Sequence, residues 1–304
     1  MPRHRKLNIL ALIAITLVIG GFVVVRVMTR APQVVVVVPP VVTPVAPPVA
    51  PTSTHEVIGL SVENRAIDAY TYGSGTTTLV FVGGMHGGYE WNSVLLAYQF
   101  MDYLTDHPDT VPANEKIIII PAANPDGLYK VTGKVGRFST ADIVNVSMKP
   151  EGYGRFNARD VDLNRNFDCH FVTKSMWKSH TVSAGTKAFS EPESAALRDF
   201  FLAHHPKSVV FWHSQANAVY ASECDKGILP GTLALMNTYA KAAGYPAVKS
   251  FDAYKVTGDS EGWLASQGVP AVTVELKTHE SVEWDRNLLG IKALLDLYRE
   301  KKQP

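Results

Sequence analysis

From Thr54 onward, short apolar runs rich in β-branched residues alternate with longer stretches of mixed apolar and polar residues. The runs predict strands at Thr78–Val82, Lys116–Pro121, Ser208–Trp212 and Ala271–Glu275. The longer stretches predict helices over Trp91–Leu104, Pro192–His204, Thr232–Ala243 and Arg286–Arg299. Ile117–Ile120 and Val209–Trp212 are apolar at every position, so both faces of those strands are expected to be covered. Such strands alternating with helices predict an α/β fold, a mixed twisted sheet flanked by helices on both faces. Ligand sites in sheets of this kind lie beyond the carboxyl ends of the strands, and here the polar clusters follow the strands. No internal repeat is visible.

The first 53 residues follow a different pattern. Leu7–Val25 is a run of 19 residues with Asn8 as its only clearly polar member. As a helix it spans roughly 28 Å, close to the thickness of a bilayer core. Arg3, Arg5 and Lys6 precede it, which leaves the N-terminus in the cytoplasm and sends the rest across. A cleaved signal peptide is the competing reading, but its apolar core is shorter and small residues follow it, whereas Arg26, Met28 and Arg30 follow this run. Residues 31–53 hold seven Pro and nine Val, a composition that favours an extended polyproline spacer. Three regions are therefore expected. Residues 1–30 form a basic tip and single-pass transmembrane signal-anchor, 31–53 a linker, and 54–304 a folded domain outside the cytoplasm.

Charge sharpens that division. The net +1 of the 304 residues is the sum of +5 over residues 1–53 and −4 over the remainder. Neither the average nor the domain carries the basic excess of a nucleic-acid binder, so no nucleic-acid partner is expected. The two cysteines, Cys169 and Cys224, exclude a four-cysteine zinc site and a disulfide-dense miniprotein.

The chemistry gathers at three strand ends. Gly83-Gly84-Met85-His86-Gly87-Gly88-Tyr89-Glu90 follows the first strand, His213-Ser214 follows the third, and Glu275 ends the fourth. Two histidines and two carboxylates drawn from distant sequence are what a catalytic zinc site uses, since zinc takes imidazole and carboxylate ligands and keeps one position open.

Between them runs Gly154-Arg155-Phe156-Asn157-Ala158-Arg159-Asp160-Val161-Asp162-Leu163-Asn164-Arg165-Asn166-Phe167. Together with Asn124-Pro125-Asp126-Gly127 and Ser190-Glu191-Pro192-Glu193, it resembles the zinc carboxypeptidase family, with the motifs in family order over residues 78–276. In character the chain is most similar to the small bacterial murein-peptide amidase branch. The resemblance implies one Zn2+ ion held by His86, Glu90 and His213. It implies Glu275 as the general base that takes a proton from metal-activated water, and Arg155 as the cation that stabilises the oxyanion. Asn164 and Arg165 would grip a terminal carboxylate, Asp162 would orient a ligand histidine, and Tyr254 would close over the substrate. The implied activity is hydrolysis of C-terminal peptide bonds; cleavage of γ-D-glutamyl–diaminopimelate bonds in cell-wall peptides, a superfamily deacylase and an inactive binding module are the alternatives. The implied partners are a peptide or cell-wall peptide and the membrane.

Two departures from the family pattern stand out. The first metal motif is His-x-x-x-Glu, one residue longer than the family's His-x-x-Glu, and the Gly87-Gly88 pair is expected to absorb the extra length. In Ser260-Glu261-Gly262-Trp263, Glu261 aligns with the family's specificity position, where a carboxylate favours a basic C-terminal side chain. The loops of Cys169 and Cys224 are expected to rim one cleft, and in an extracytoplasmic domain a disulfide between them is expected. Other polar residues read as structural. Asp126 and Gly127 form a tight turn. Ser190 caps a helix with Glu193 completing a capping box, Arg159 makes an ion pair, and a place for His279 at the site rim is only the minor reading.

Overall fold

The computed structural model describes residues 53–300. The expected transmembrane segment and all but the last residue of the expected linker lie outside them. Among the described residues no helix is long and apolar enough to cross a membrane.

The elements run β1 (Thr54–Leu60), β2 (Ala66–Tyr72), β3 (Thr77–Val82), α1 (Trp91–Asp106), β4 (Glu115–Ile120), α2 (Pro125–Thr132), β5 (Lys174–Trp177) and β6 (His180–Ser183). They continue with α3 (Pro192–His204), β7 (Ser208–Ser214), β8 (Ala218–Ala221), β9 (Glu223–Cys224), β10 (Gly227–Ile228), α4 (Pro230–Ala243), β11 (Ala247–Val248), α5 (Ser260–Ser266), β12 (Ala271–Leu276) and α6 (Trp284–Tyr298). Eight strands form one mixed sheet in the order β1-β2-β4-β3-β7-β12-β8-β11. The central β4, β3, β7 and β12 are parallel. The β1–β2 hairpin joins β4 antiparallel at one side, and β8 joins β12 antiparallel at the other.

The parity of a strand explains the two cores. Leu79, Phe81, Ile117, Ile119, Val210, Trp212, Val272 and Val274 point to the face covered by α1, α4 and α6. Val80, Val82, Ile118, Ile120, Val209, Phe211 and Ala271 point to the other, where α3 and α5 supply Leu197, Phe201, Trp263 and Leu264. Ile117 to Ile120 are all fully buried, each worth roughly 1.5–3 kcal/mol relative to exposure. This two-faced burial is what the unbroken apolar runs predict.

Parity also sets up the site. Phe211 and Ala271 lie on the α3/α5 face, so His213, Thr273 and Glu275, two or four residues further along their strands, lie on that same face. In the parallel pairing of β7 with β12, Glu275 stands directly beside His213.

Two local expectations are corrected. Pro125-Asp126-Gly127 is the first turn of α2 rather than an isolated turn, with Asn124 accepting a hydrogen bond from the Gly127 amide at 2.9 Å. The N-cap of α3 is Glu191, not Ser190, and no side chain caps it. The Ser190 hydroxyl instead donates to Glu191 Oε1 at 2.9 Å, and Asn166 in the neighbouring loop accepts the Glu191 amide.

Candidate active site

The cleft lies at the carboxyl ends of β3, β7 and β12 and holds about 870 Å³. His86 arrives first, four residues past the end of β3. A single turn of 3₁₀ helix, Gly87–Glu90, then carries the chain into α1. Gly87 takes φ +50°, and a Cβ there would stand 2.6 Å from the Gly154 carbonyl oxygen and 2.8 Å from the Gly127 backbone. Only glycine permits this turn, and the turn accommodates the extra residue of His-x-x-x-Glu. One donor atom from each of His86, Glu90 and His213 lies within 4.8 Å of the others, and all three residues are buried.

Glu90 is held from several sides. Its Oε2 is 3.0 Å from His213 Nδ1 and accepts the Ser214 amide at 3.2 Å, and its Oε1 is 3.7 Å from the Arg155 guanidinium. The Ser214 hydroxyl lies 3.0 Å from Asn92 Oδ1 and 2.7 Å from His279 Nδ1. Asn92 donates to the carbonyls of Thr278 and Ser281. This network ties the loop after β12 to the start of α1.

Arg155 is 3% exposed. It donates from Nε and Nη2 to Asp162 Oδ2 at 3.1 and 2.9 Å, while its guanidinium lies 4.6 Å from the Trp177 ring centroid. The other oxygen of Asp162 is 3.6 Å from His86 Nδ1. One carboxylate therefore faces both the cation and the histidine. Asn124 Nδ2 donates to the Arg155 carbonyl, so the start of α2 also fixes this arginine's backbone.

Asn164 and Arg165 sit on a short 3₁₀ turn after Asp162. Asn164 Oδ1 accepts the Ser260 amide at 2.9 Å, which leaves its amide NH₂ for the cleft. Arg165 uses Nε on the Met176 carbonyl and Nη1 on the Asn164 carbonyl; Nη2 makes no hydrogen bond among the described residues. Tyr254 lies along the same wall, with its ring centroid 6.0 Å from the Arg165 guanidinium.

Two chain segments lock this wall together. Phe167 N–H donates to the Gly258 carbonyl at 2.8 Å, and Gly258 N–H donates back to the Cys169 carbonyl at 2.7 Å. Gly258 has φ +69°, and a Cβ there would stand 2.3 Å from the Arg165 carbonyl oxygen. The Cys169–Cys224 disulfide lies beside this contact, with the two Cα atoms 6.2 Å apart.

Glu261 opens α5 and is 3% exposed. Its Oε2 accepts from Ser260 Oγ and its Oε1 from Thr273 Oγ1, each at 2.8 Å. Withdrawal from water and then the neighbouring Glu261 push Asp259 up to about 6. Withdrawal from water, then Glu90, pushes Glu275 up to about 8, and one of its oxygens is shielded with no hydrogen-bond partner. Burial, then Arg155, holds His86 well below the usual imidazole range, in the neutral form a metal ligand needs. Glu90, Glu261 and Glu275 line the cleft, and Asp162 stands behind His86 and Arg155. The charge of a divalent ion held by the trio would favour the ionised form of Glu275 and draw it back down. The imidazole–carboxylate–imidazole set suits zinc.

Sequence reasoning alone missed Trp177, which belongs to no motif, and the parts of Tyr89, Asn92 and Ser214, which stand in or beside the two histidine motifs with no chemistry assigned to them; the Tyr89 ring packs 5.4 Å from Trp177 and 4.6 Å from His279 between centroids. Arg159 does pair, its guanidinium 3.5 Å from Glu191, and His279 lines the cleft.

A buried donor trio at the strand ends of a mixed α/β sheet, with a further carboxylate and a buried arginine beside it, is the layout of a metal-dependent hydrolase. The chain belongs to the zinc carboxypeptidase (peptidase M14) family, whose model matches residues 50–289. It is 31% identical over 192 residues to carboxypeptidase B of Helicoverpa zea, an alignment that covers 55% of this chain and 42% of that protein. The chain spans less than half the length of the curated relatives it matches. Among solved structures it is similar to carboxypeptidase A of Helicoverpa armigera, with a TM-score of 0.61, 19% identity, and coverage of 81% of this chain and 66% of that one. It is also similar to the murein-tripeptide amidase MpaA of Escherichia coli O157, with a TM-score of 0.55, 20% identity, and coverage of 82% and 93%. At these identities the two structures speak for the fold.

Proposed function

We propose that this chain is a zinc-dependent metallocarboxypeptidase that hydrolyses C-terminal peptide bonds. The observation that carries the reading is the convergence of His86, Glu90 and His213 within 4.8 Å, beside Glu275 and Arg155 in one cleft. These three side chains are the ligands. Bound there, zinc supplies Lewis acidity that polarises a carbonyl and makes water acidic near neutral pH. Glu275 takes a proton from the attacking water and hands it to the leaving amine. Arg155, oriented by Asp162, meets the negative charge that develops on the carbonyl oxygen. Asn164 and Arg165 hold the substrate's terminal carboxylate with the groups their own hydrogen bonds leave free. Tyr254 covers the bound residue.

Asp259 and Glu261 make the floor of the cleft acidic. That chemistry suits a substrate whose last residue carries an amino group or guanidinium on its side chain. It equally suits diaminopimelate, which supports γ-D-glutamyl–diaminopimelate cleavage as the second reading. The Leu7–Val25 run supports a membrane-anchored, single-pass protein with the catalytic domain outside the cytoplasm. The Cys169–Cys224 disulfide fits the oxidising environment this requires.

The test is amino-acid release from a panel of peptides with different C-terminal residues, together with a murein tripeptide. Each is assayed with native protein, after chelation, and after zinc is restored. The reading expects release that disappears on chelation and returns with zinc. Release unaffected by complete zinc removal would refute it.

A further inference from the structure

The ring of His213 looks in two directions. Its Nδ1 faces Glu90 Oε2 at 3.0 Å, inside the donor cluster. Its Nε2, on the opposite edge, is buried, has no hydrogen-bond partner, and lies 3.4 Å from Glu261 Oε1. An imidazole that gives Nδ1 to a cation carries its proton on Nε2, and a buried N–H needs an acceptor. Glu261 is the carboxylate placed to accept it, a few tenths of an ångström beyond hydrogen-bond distance.

The carboxylate itself is fixed before any substrate arrives. Thr273 of β12 donates to Oε1 and Ser260 of α5 donates to Oε2. Thr273 shares with His213 and Glu275 the sheet face that α5 covers, so two independent elements aim Glu261 at the histidine. The other histidine has a similar partner, since His86 Nδ1 lies 3.6 Å from Asp162 Oδ1. Each histidine of the trio thus has one ring nitrogen facing a buried carboxylate.

We propose that Glu261 is a positioning residue for the metal: it accepts the Nε2 proton of His213, and so sets that ring's tautomer, plane and basicity. This rests on the ligand set proposed above. It is separate from any selection of the substrate's side chain, because it acts with no substrate present. Carboxylate partners of ligand histidines act in this way generally, and their loss typically weakens metal binding 10–100-fold.

The experiment measures the zinc dissociation constant of the full chain by chelator competition, without substrate. Wild type is compared with E261Q, E261D and, as a substrate-side control, Y254F. Tm of each metal-free protein is recorded alongside. The Nε2 proton of His213 is followed by ¹⁵N NMR in the zinc-loaded forms. The proposal expects E261Q to bind zinc about 10–100-fold more weakly, with the metal-free Tm unchanged. It also expects an upfield move of the Nε2 proton in E261Q and Y254F affinity equal to wild type. E261D, which keeps the charge but retracts it by one methylene, should fall between, and it serves as the test if E261Q does not fold. Zinc affinities within twofold of wild type in both Glu261 variants would overturn the proposal while leaving the ligand set standing. Wild type that binds no zinc would instead overturn the ligand set, and the proposal with it.

Discussion

Removing the Cys169–Cys224 bridge should separate stability from catalysis. The two cysteines are 55 residues apart in sequence. In the chain-entropy treatment, closing a loop of that length removes roughly 14 cal/mol/K from the unfolded chain, or about 4 kcal/mol at 25 °C. C169A deletes a sulfur buried in the α3/α5 core, whereas Cys224 is only partly buried, so the cavity left is a single atom in size and its cost is small beside the entropic figure. The paired hydrogen bonds of Phe167 and Cys169 with Gly258 tie the same loop to a different segment and remain in the variant. They hold the loop carrying Asn164 and Arg165 against Gly258 locally, whether or not the sulfurs are joined. The double variant C169A/C224A is therefore expected to lose up to about 4 kcal/mol in urea unfolding. For a domain of this size that is a drop in Tm of roughly 8–16 °C, while kcat at 25 °C is retained. Equilibrium urea titrations of both proteins, with and without reductant, measure the first quantity, and initial rates on one peptide measure the second. A loss below about 1 kcal/mol would refute the entropic argument. A wild type that shows two free thiols when unfolded without reductant would remove its premise. Collapse of kcat at a temperature where the variant is fully folded would show that the two backbone hydrogen bonds do not suffice.

Three further outcomes are expected. R155K should lower kcat by roughly 10²–10³-fold while moving KM less, because the guanidinium acts on charge that develops only in the transition state; a change confined to KM would contradict this. Glu115 is fully buried with neither oxygen hydrogen-bonded, and burial raises it from 4.5 to about 7. The folded protein then holds a proton that the unfolded chain has released. The contribution of Glu115 to stability should be full below pH 4.5 and fall by up to about 3 kcal/mol as pH rises through 7; E115Q should remove that part of the pH dependence, and urea midpoints at pH 5 and 8.5 that move in parallel for both proteins would contradict it. Peptides ending in Lys should give a higher kcat/KM than those ending in Phe, and equal or reversed values would exclude the acidic floor as a selector.

The predicted strands and helices match the structure where burial is unambiguous. Ile117–Ile120 and Val209–Trp212 are apolar at every position because helices cover both of their faces, so the pattern has one reading. The β1–β2 hairpin was not legible for the opposite reason. Thr54–Leu60 lies at the sheet edge with most of its residues exposed, so Val57, Ile58 and Leu60 form no unbroken apolar run. The start of α2 is ambiguous along the chain because Pro-Asp-Gly suits both an isolated turn and a first helical turn. The backbone bond from the Leu128 amide to the Asn124 carbonyl, continued through Thr132, decides between them. At the site, His86, Glu90, His213 and Glu275 could be read from their places at strand ends. The parts of Trp177, Ser214 and Asn92 could not, since stacking on Arg155 or bridging two loops leaves no pattern along the chain. Glu261 could be read as an acid in the cleft, but its approach to His213 arises from the packing of α5 against β12.

Glu275→Gln provides the decisive comparison, because it removes the proposed proton carrier and leaves His86, Glu90 and His213 intact. Zinc content and the rate of C-terminal amino-acid release would be measured on the same purified samples of wild type and variant. The proposed mechanism expects one zinc per chain in both and a rate reduced by at least about 10²-fold in the variant. Equal zinc content with an unchanged rate would show that Glu275 is not the base.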